Sequence, residues 1–442
     1  MRYIIIGTGA AGIAAAETIR NHDPRGEITL IGEEPEGYYS RPGLAYYLTG
    51  ELPESQLFPF TAQEFHSKKF NWWTETATQI NPVSQLVTLG NGRTLPYDRL
   101  LLATGAAARP SDLPGGTLPG VVNLDNISDA RAILHWARRA KAAVVLGGGI
   151  TALEIVEGLV AQGVGRVHYF LRGDRYWSNV LDEQESKIVE HRLAAEGVEL
   201  HYFTEAAEIV GKPAGLLGRG KPVVAGVRTG KGEVIPCGMV AVAIGVAPRL
   251  ELAKAAGLKV EKGVVVDAGM RTSHPNIYAA GDVAQAYDAF AGKPVLDILW
   301  PVAREQGRVA GANMAGGDAV YEKDVPMNVT RLAGLTTSII GAVGGGGRDA
   351  DTVGIVRGDS ETWREIPDAL VSQHGFDVNR IRLMIGEKTI LGAVVMGNQT
   401  LSRPIHQLIA RRVDISPIRE RLAAGDDVGG ALAAFWGEVG SP

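Results

Sequence analysis

The sequence predicts an α/β fold of two Rossmann-like, dinucleotide-binding units followed by a C-terminal α+β unit, and three observations carry that prediction. First, the apolar run Tyr3-Ile4-Ile5-Ile6 meets Gly7-Thr8-Gly9-Ala10-Ala11-Gly12 and passes into a helix-like segment over residues 13–19. Second, the same device returns at Ala142-Ala143-Val144-Val145-Leu146, Gly147-Gly148-Gly149-Ile150-Thr151-Ala152 and a helix-like segment to residue 162. Third, the character changes from about Tyr321: Arg380 to Ile385 and Thr389 to Met396 read as a hairpin across Gly386-Glu387-Lys388. Helix-like segments then follow at 404–412, 417–424 and 428–436. Switching between period-2 and period-3.6 patterns marks such elements.

Each glycine in the opening motif has a separate physical role. Gly7 allows the sharp turn, Gly9 lets backbone N–H groups approach a pyrophosphate, and Gly12 lets the helix pack close to its strand. The phosphates would sit on the helix N-terminus, where unpaired N–H groups and the helix dipole favour negative charge. In a chain with 57 glycines one match is weak. Two, each between a strand and a helix, predict two dinucleotide sites. In the second motif Gly147 and Gly149 repeat the spacing and Ala152 takes the third place.

Bulk properties narrow the class. A chain of 442 residues exceeds what one core normally organises. The net charge of −5 and pI near 6.0 do not support a nucleic-acid footprint. No apolar stretch reaches the roughly 18–20 residues of a spanning helix. No cleavable leader is evident either, so a soluble cytoplasmic protein away from membranes is expected. Cys237 is the single cysteine, which rules out a redox-active cysteine pair within the chain and reads as a small buried hydrophobe.

In chain order, Ile28-Thr29-Leu30-Ile31 is a second strand ending at Gly32-Glu33-Glu34. Glu33 and Glu34 stand where a ribose hydroxyl needs an acceptor. Arg41, within Tyr38-Tyr39-Ser40-Arg41-Pro42-Gly43-Leu44, either clamps a pyrophosphate or lies on the surface. The stretch from Asn71-Trp72-Trp73-Thr74 through Ile80-Asn81, and then Leu86 to Leu89, looks like paired strands with Asn91-Gly92 as a turn, and Trp72 and Trp73 read as core. Leu100-Leu101-Leu102-Ala103-Thr104-Gly105 is another buried strand, followed by Arg109-Pro110 and a Pro/Gly-rich linker to Gly120. The second motif's partner strand ends at Leu171-Arg172-Gly173-Asp174-Arg175. Arg172 and Arg175 lean toward a 2′-phosphate and hence NADPH, although Asp174 could turn to a ribose for NADH. His201 reads as exposed or structural. Asp282, in Ala279-Ala280-Gly281-Asp282-Val283, could accept from a hydroxyl or cap a helix. The run from Gly344 to Gly347 is a loop. The expected division is 1–113 with 246–322, then 114–245, then 323–442.

Taken together, these motifs resemble the two-dinucleotide-domain flavoprotein reductases of the pyridine nucleotide–disulfide oxidoreductase superfamily, in its cysteine-independent branch. The resemblance rests also on Tyr39 to Leu44, Ala103-Thr104-Gly105 with Arg109, and Trp300-Pro301-Val302-Ala303-Arg304-Glu305-Gln306-Gly307. It implies FAD on Gly7, Gly9, Ala10, Ala11, Glu33, Glu34, Arg41, Arg109 and Asp282, with Ala77 holding the adenine through its backbone. It implies NADPH or NADH among Gly149, Ile150, Glu154, Arg172, Arg175 and Gly245. Trp300 would lie near the flavin ring or in the core. The C-terminal unit would cover the flavin and could form a homodimer interface. The implied reaction takes hydride from NAD(P)H to flavin N5 and passes electrons to a separate small iron–sulfur protein. The alternatives are an oxidase or diaphorase using oxygen or a small molecule, and a redox-sensing scaffold. Two departures stand out: no cysteine lies where disulfide reductases carry theirs, and Tyr46 stands where relatives often carry a lysine near N5.

Overall fold

The computed structural model describes residues 1–213, 220–289, 291–344, 357–364, 368–376, 379–425 and 427–440. Arg2–Ile6 is buried from Tyr3 onward, as a central strand covered on both faces must be. It pairs in parallel with Glu27–Gly32 on one side and Arg99–Leu102 on the other. Asn71–Thr74 and Ile277–Ala279 complete the five-stranded parallel sheet at its two edges. An antiparallel meander of Ala77–Asn81, Leu86–Leu89 and Thr94–Pro96 leads from one edge strand back to Arg99. Ile80-Asn81 pairs with Leu86–Leu89 as expected, whereas Asn71–Thr74 extends the parallel sheet, and Asn91-Gly92 turns the chain between the second and third meander strands.

The second sheet repeats this plan strand for strand. Ala142–Leu146 is central, flanked by Arg166–Phe170 and Met239–Val242, with Val198–His201 and Val121–Val122 outermost. Again a three-stranded meander, Ala206–Lys212, Val223–Thr229 and Val234–Pro236, follows the third parallel strand. The chain leaves the first unit along Ala106–Ala108 and re-enters it along Val246–Pro248, and these segments pair antiparallel. The Pro/Gly-rich stretch expected to be a linker is instead fixed. Ile209 and Val224 donate backbone hydrogen bonds to the carbonyls of Pro114 and Pro119, at 2.8 and 3.1 Å. Leu113 and Leu118 pack on the apolar core beneath the second meander.

The C-terminal unit is a five-stranded antiparallel sheet in which Leu335–Gly341, Ile390–Met396 and Asn379–Ile385 are interior. Its two faces have separate partners, as strand alternation dictates. Ile339, Val394 and Met396 join the core around the helix Ile150–Ala161, while Ile340, Ala393 and Val395 pack beneath the helices Ser402–Ala410 and Val428–Val439. Those helices start and end within a few residues of the expected bounds. The run beginning at Gly344 lies, past that residue, outside the described residues. Buried ion pairs fasten the unit: Arg380 to Asp182 at 2.8 Å, Arg382 to Glu185 at 2.9 Å, and Lys323 to Asp288 and Asp297 at 2.6 and 3.0 Å.

One helix contact brings distant sequence to the first glycine turn. The helix Trp300–Met314 lies along Ala10–His22, and its Gly307 and Gly311 face the backbone of Ala11 and Ala15. A Cβ on Gly307 would fall onto the carbonyl oxygen of Ala11, so no larger residue fits without separating the helices. Gly307→Leu is therefore expected to destabilise the protein by about 2 kcal/mol or more in denaturant unfolding, the usual cost of overpacking. Gly437→Ala, in a helix where an added Cβ meets nothing within 4 Å, should stabilise it by up to ~1 kcal/mol.

Candidate functional site

The two glycine turns are physically equivalent. Gly7 has φ 112° and Gly147 has φ 141°, in the region that favours glycine. A Cβ on either would fall onto a neighbouring strand's carbonyl oxygen, that of Ala103 or Ala243 respectively. Gly12 faces the Gly7 carbonyl equally closely, whereas the second turn accommodates the fully buried Ala152. Gly9 and Gly149 are the N-caps of the two following helices, and neither helix has a side-chain cap. By contrast, the helices Ile127–Ala137 and Glu183–Ala195 carry capping boxes, with Asn126 and Asp182 at the cap. The glycine-turn helices thus present unpaired N–H groups at the carboxyl edges of both sheets, an arrangement that receives phosphate. An added Cβ on Gly9 meets nothing within 4 Å, because it opens into a cleft.

That cleft encloses about 510 Å³ and runs from the first glycine turn to the C-terminal sheet. It is lined by Gly7, Gly9, Ala10, Ala11, Glu33, Glu34, Arg41, Ala77 and Asp282 at the first unit, and by Ile150 and Glu154 at the second. Gly149 and Gly245 line a smaller cavity beside it, and Arg357 lines both. The shape suits an extended dinucleotide: a tight turn with open N–H groups at one place, a carboxylate-bearing strand end at another, and Asp282 facing inward. Gly12 and Gly147 shape the turns from behind.

Three of the expected residues stand elsewhere. Arg109 is exposed and does not line the cleft; its Nε donates to the carbonyl of Val246 at 3.2 Å. The two strands of the inter-unit ribbon explain the misplacement, since each carries Gly-x-x-x-Arg, as Gly105 to Arg109 and Gly245 to Arg249. Arg109 N–H donates to Gly245 and Arg249 N–H to Gly105, both at 3.0 Å, but Arg249 is the one whose side chain reaches the cleft. Arg172 is exposed at the end of Arg166–Phe170, outside both cavities, and Arg175 pairs with Asp174 at 3.0 Å.

Charge in the cleft is arranged as a chain of pairs. Arg249 bonds Glu33 and also approaches Asp125 at 3.4 Å, and Arg357 bonds Asp125 and approaches Asp282 at 3.7 Å. Arg41 bonds Glu34 and donates to the Asp125 carbonyl at 2.6 Å, while Tyr39 donates to Glu34 at 2.6 Å. Burial raises the Asp282 carboxyl above the usual carboxylate range, with Arg357 and Arg41 opposing. Arg331, absent from the expected set, lies on Met327–Leu332 with its guanidinium 5.1 Å from the Tyr46 ring and bonds to Glu51 at 2.7 and 2.9 Å. A cation therefore lines the cleft beside Tyr46, where the sequence suggested none. Trp300 is 43% exposed and lines the cleft, which settles its alternatives against the core. Trp72 and Trp73 are half-buried, Trp72 against Phe65 and Trp73 beneath Arg93. Cys237 is buried away from the cleft, and burial pushes its thiol up to about 11.

Glu154 and Glu157, one turn apart on Ile150–Ala161, both face the cleft. Burial, with Glu157 beside it, pushes Glu154 up to about 8; burial pushes Glu157 up to about 7 against the Gly334 N–H and Arg331. Between the ordinary value of 4.5 and about 8 the folded protein holds a proton on Glu154 that the unfolded chain has released. Stability contributed by this site is present below pH 4.5 and is lost as pH rises through that window. Glu154→Gln should therefore stabilise the flavin-free protein at pH 8 by roughly 1–2 kcal/mol, and leave it unchanged near pH 4 in urea unfolding.

Comparison with known proteins agrees with this geometry. The pyridine nucleotide-disulphide oxidoreductase family matches residues 1–307. The chain is 33% identical over 348 residues to a rubredoxin-NAD(+) reductase of Pseudomonas putida, covering 78% of this chain and 87% of that one. It is 32% identical over 345 residues to an NADH oxidase of Methanocaldococcus jannaschii, covering 76% and 75%. In structure it is similar to the reductase of a covalent putidaredoxin reductase–putidaredoxin complex, with a TM-score of 0.83, 24% identity and 98% of each chain covered. Among the described residues no helix is long and apolar enough to cross a membrane. With one glycine turn on the cleft, the second on the cavity beside it, and this family match, the chain belongs to the pyridine nucleotide-disulphide oxidoreductase family and is an FAD-dependent NAD(P)H oxidoreductase.

Proposed function

We propose that this protein takes reducing equivalents from NADH and delivers them through FAD to a separate, small iron–sulfur protein of the rubredoxin or ferredoxin type. The observation that carries this reading is a cleft shared by both glycine-turn units and lined by no cysteine, in a chain whose single thiol is buried elsewhere. Electrons leaving such a site have no protein disulfide to pass through. Relatives named for rubredoxin and ferredoxin reduction support the choice of acceptor. Relatives named for NAD(+), together with the Arg175–Asp174 pair that partly neutralises the strand end, support NADH over NADPH.

FAD, when bound, supplies the chemistry: hydride acceptance from the nicotinamide and release of electrons one at a time. The chain's own groups bind and orient. The N–H groups behind Gly9, Ala10 and Ala11 would hold the pyrophosphate, Glu33 and Arg249 with the Ala77 backbone would hold the adenosine end, and Asp282 would accept from a ribityl hydroxyl. Gly149, Ile150, Glu154 and Gly245 would border the nicotinamide nucleotide, and Trp300, Arg331 and Arg357 would shield the bound flavin from water. In this division, residues 1–113 and 246–322 hold FAD, 114–245 hold the nicotinamide nucleotide, and 323–442 cover both. No side chain needs to act as acid or base in the hydride step.

Anaerobic stopped-flow reduction of the FAD-loaded protein tests the reading. NADH should bleach the flavin band with a higher second-order rate constant than NADPH, and added rubredoxin or ferredoxin should then be reduced over many turnovers. Reoxidation only by air, with peroxide release and no turnover of any iron–sulfur protein, would instead establish an oxidase. A preference for NADPH that Arg172→Ala abolishes, with NADH unaffected, would overturn the choice of nucleotide.

A further inference from the structure

His168, Glu199 and His201 form a second cluster of potential ligands, outside the cleft, on the edge of the second sheet. We propose that these three side chains bind one divalent transition-metal ion, with zinc as the best-fitting ion. The strand register produces the cluster. His168 pairs with Glu199 and Phe170 with His201 across parallel strands, so all three side chains project from the same face. His168 Nδ1 lies 3.1 Å from His201 Nε2 and 3.1 Å from a Glu199 carboxylate oxygen, and the three ligand atoms all fall within 4.8 Å of one another. Tetrahedral zinc, with ligand bonds near 2.0–2.1 Å, places its ligand atoms about 3.3 Å apart. The sheet therefore holds the donors close to their coordinating separation before any ion arrives.

Hydrogen bonding alone satisfies this arrangement poorly. One Nδ1 atom carries at most one proton, so it cannot donate fully to both a carboxylate and a second imidazole nitrogen. A cation shared by the three lone pairs removes that conflict. His168 has 8% of its side chain exposed and Glu199 has 53%, so the cluster is walled by protein on one side and open to water on the other. Two imidazoles, one carboxylate and a place for water form a ligand set suited to zinc.

The site would act on the neighbouring turn. His201 accepts a backbone hydrogen bond from Leu171 at 2.9 Å, and Phe203 donates to Gly173 at 3.0 Å. A metal joining His168 to His201 would tie the two strands together just where the chain enters Arg172 to Arg175.

Untagged, FAD-loaded protein stripped with chelator is titrated with ZnCl2 against a chromogenic competitor. One equivalent should bind, and His201→Gln should weaken it by at least about tenfold, a loss that even an outer-shell partner's removal can cause. Co2+ should give the visible bands of a four-coordinate ion at wavelengths beyond the flavin absorption, and Zn2+ should raise Tm in the wild type but not in the variant. Glu199→Gln, an exposed substitution, keeps the test valid if a histidine variant folds poorly. Unchanged zinc stoichiometry and affinity in both variants, or no binding by the wild type at micromolar zinc, would overturn the proposal. Since neither flavin nor nicotinamide turnover is read, the result is independent of the proposed electron acceptor.

Discussion

The structure depends on a steric constraint that occurs twice: a glycine at the end of a central parallel strand, pressed against the carbonyl of the strand beside it. At Gly7 the neighbour is Ala103, and at Gly147 it is Ala243. Neither position has room for a Cβ, and both have positive φ. With that freedom the chain reverses within a few residues, and the following helix begins at the carboxyl edge of its sheet with N–H groups uncapped. Both glycine turns lie beside the places where the chain crosses between units. Ala103 N–H donates to Ile6 and Ala243 N–H to Leu146, each at 2.8 Å, so the crossing segments leave directly from the strands that crowd the glycines. The cleft lies outside the carboxyl ends of the parallel strands, where open α/β sheets bind ligands.

What closes the cleft comes from further along the chain. The helix Trp300–Met314 reaches the first turn because Gly307 and Gly311 let it approach Ala11 and Ala15 at backbone distance. The C-terminal sheet then contributes Arg331 and the chain beyond it Arg357. Buried pairs such as Lys323 with Asp288 and Asp297 hold this part in place, and removing one partner would leave an uncompensated buried charge. Arg249, Arg357, Arg41 and Arg331 come from four separate regions of the chain, and each has a carboxylate partner in the cleft wall or at its rim. Each cation at the cleft is thus held in orientation by a carboxylate before any anion reaches it.

Local patterns carried much of this in the sequence. The β-branched runs and glycine spacings were enough to place both turns, and Glu33, Glu34, Arg41, Ala77 and Asp282 all stand at the cleft. Such features are local: a turn that needs positive φ or a helix start without a side-chain cap leaves its mark within a dozen residues. Which arginine faces the cleft is relational information. Arg109 and Arg249 sit in the same Gly-x-x-x-Arg setting, and only the pairing of the ribbon decides which side chain turns inward. The internal repeat places Arg249 in the same setting as Arg109.

The sequence by itself determined the fold class, the two nucleotide turns and the absence of a protein disulfide, because each depends on residue type and short-range spacing. Only the tertiary structure decided the rest of the site. Arg331 comes to Tyr46 because an edge strand of the C-terminal sheet lines the cleft, and Trp300 lines the wall because its helix is seated on two glycines. His168 and His201 meet because parallel register aligns strands more than 30 residues apart. Contacts across such distances depend on how sheets and helices dock, and no spacing within a single segment encodes that.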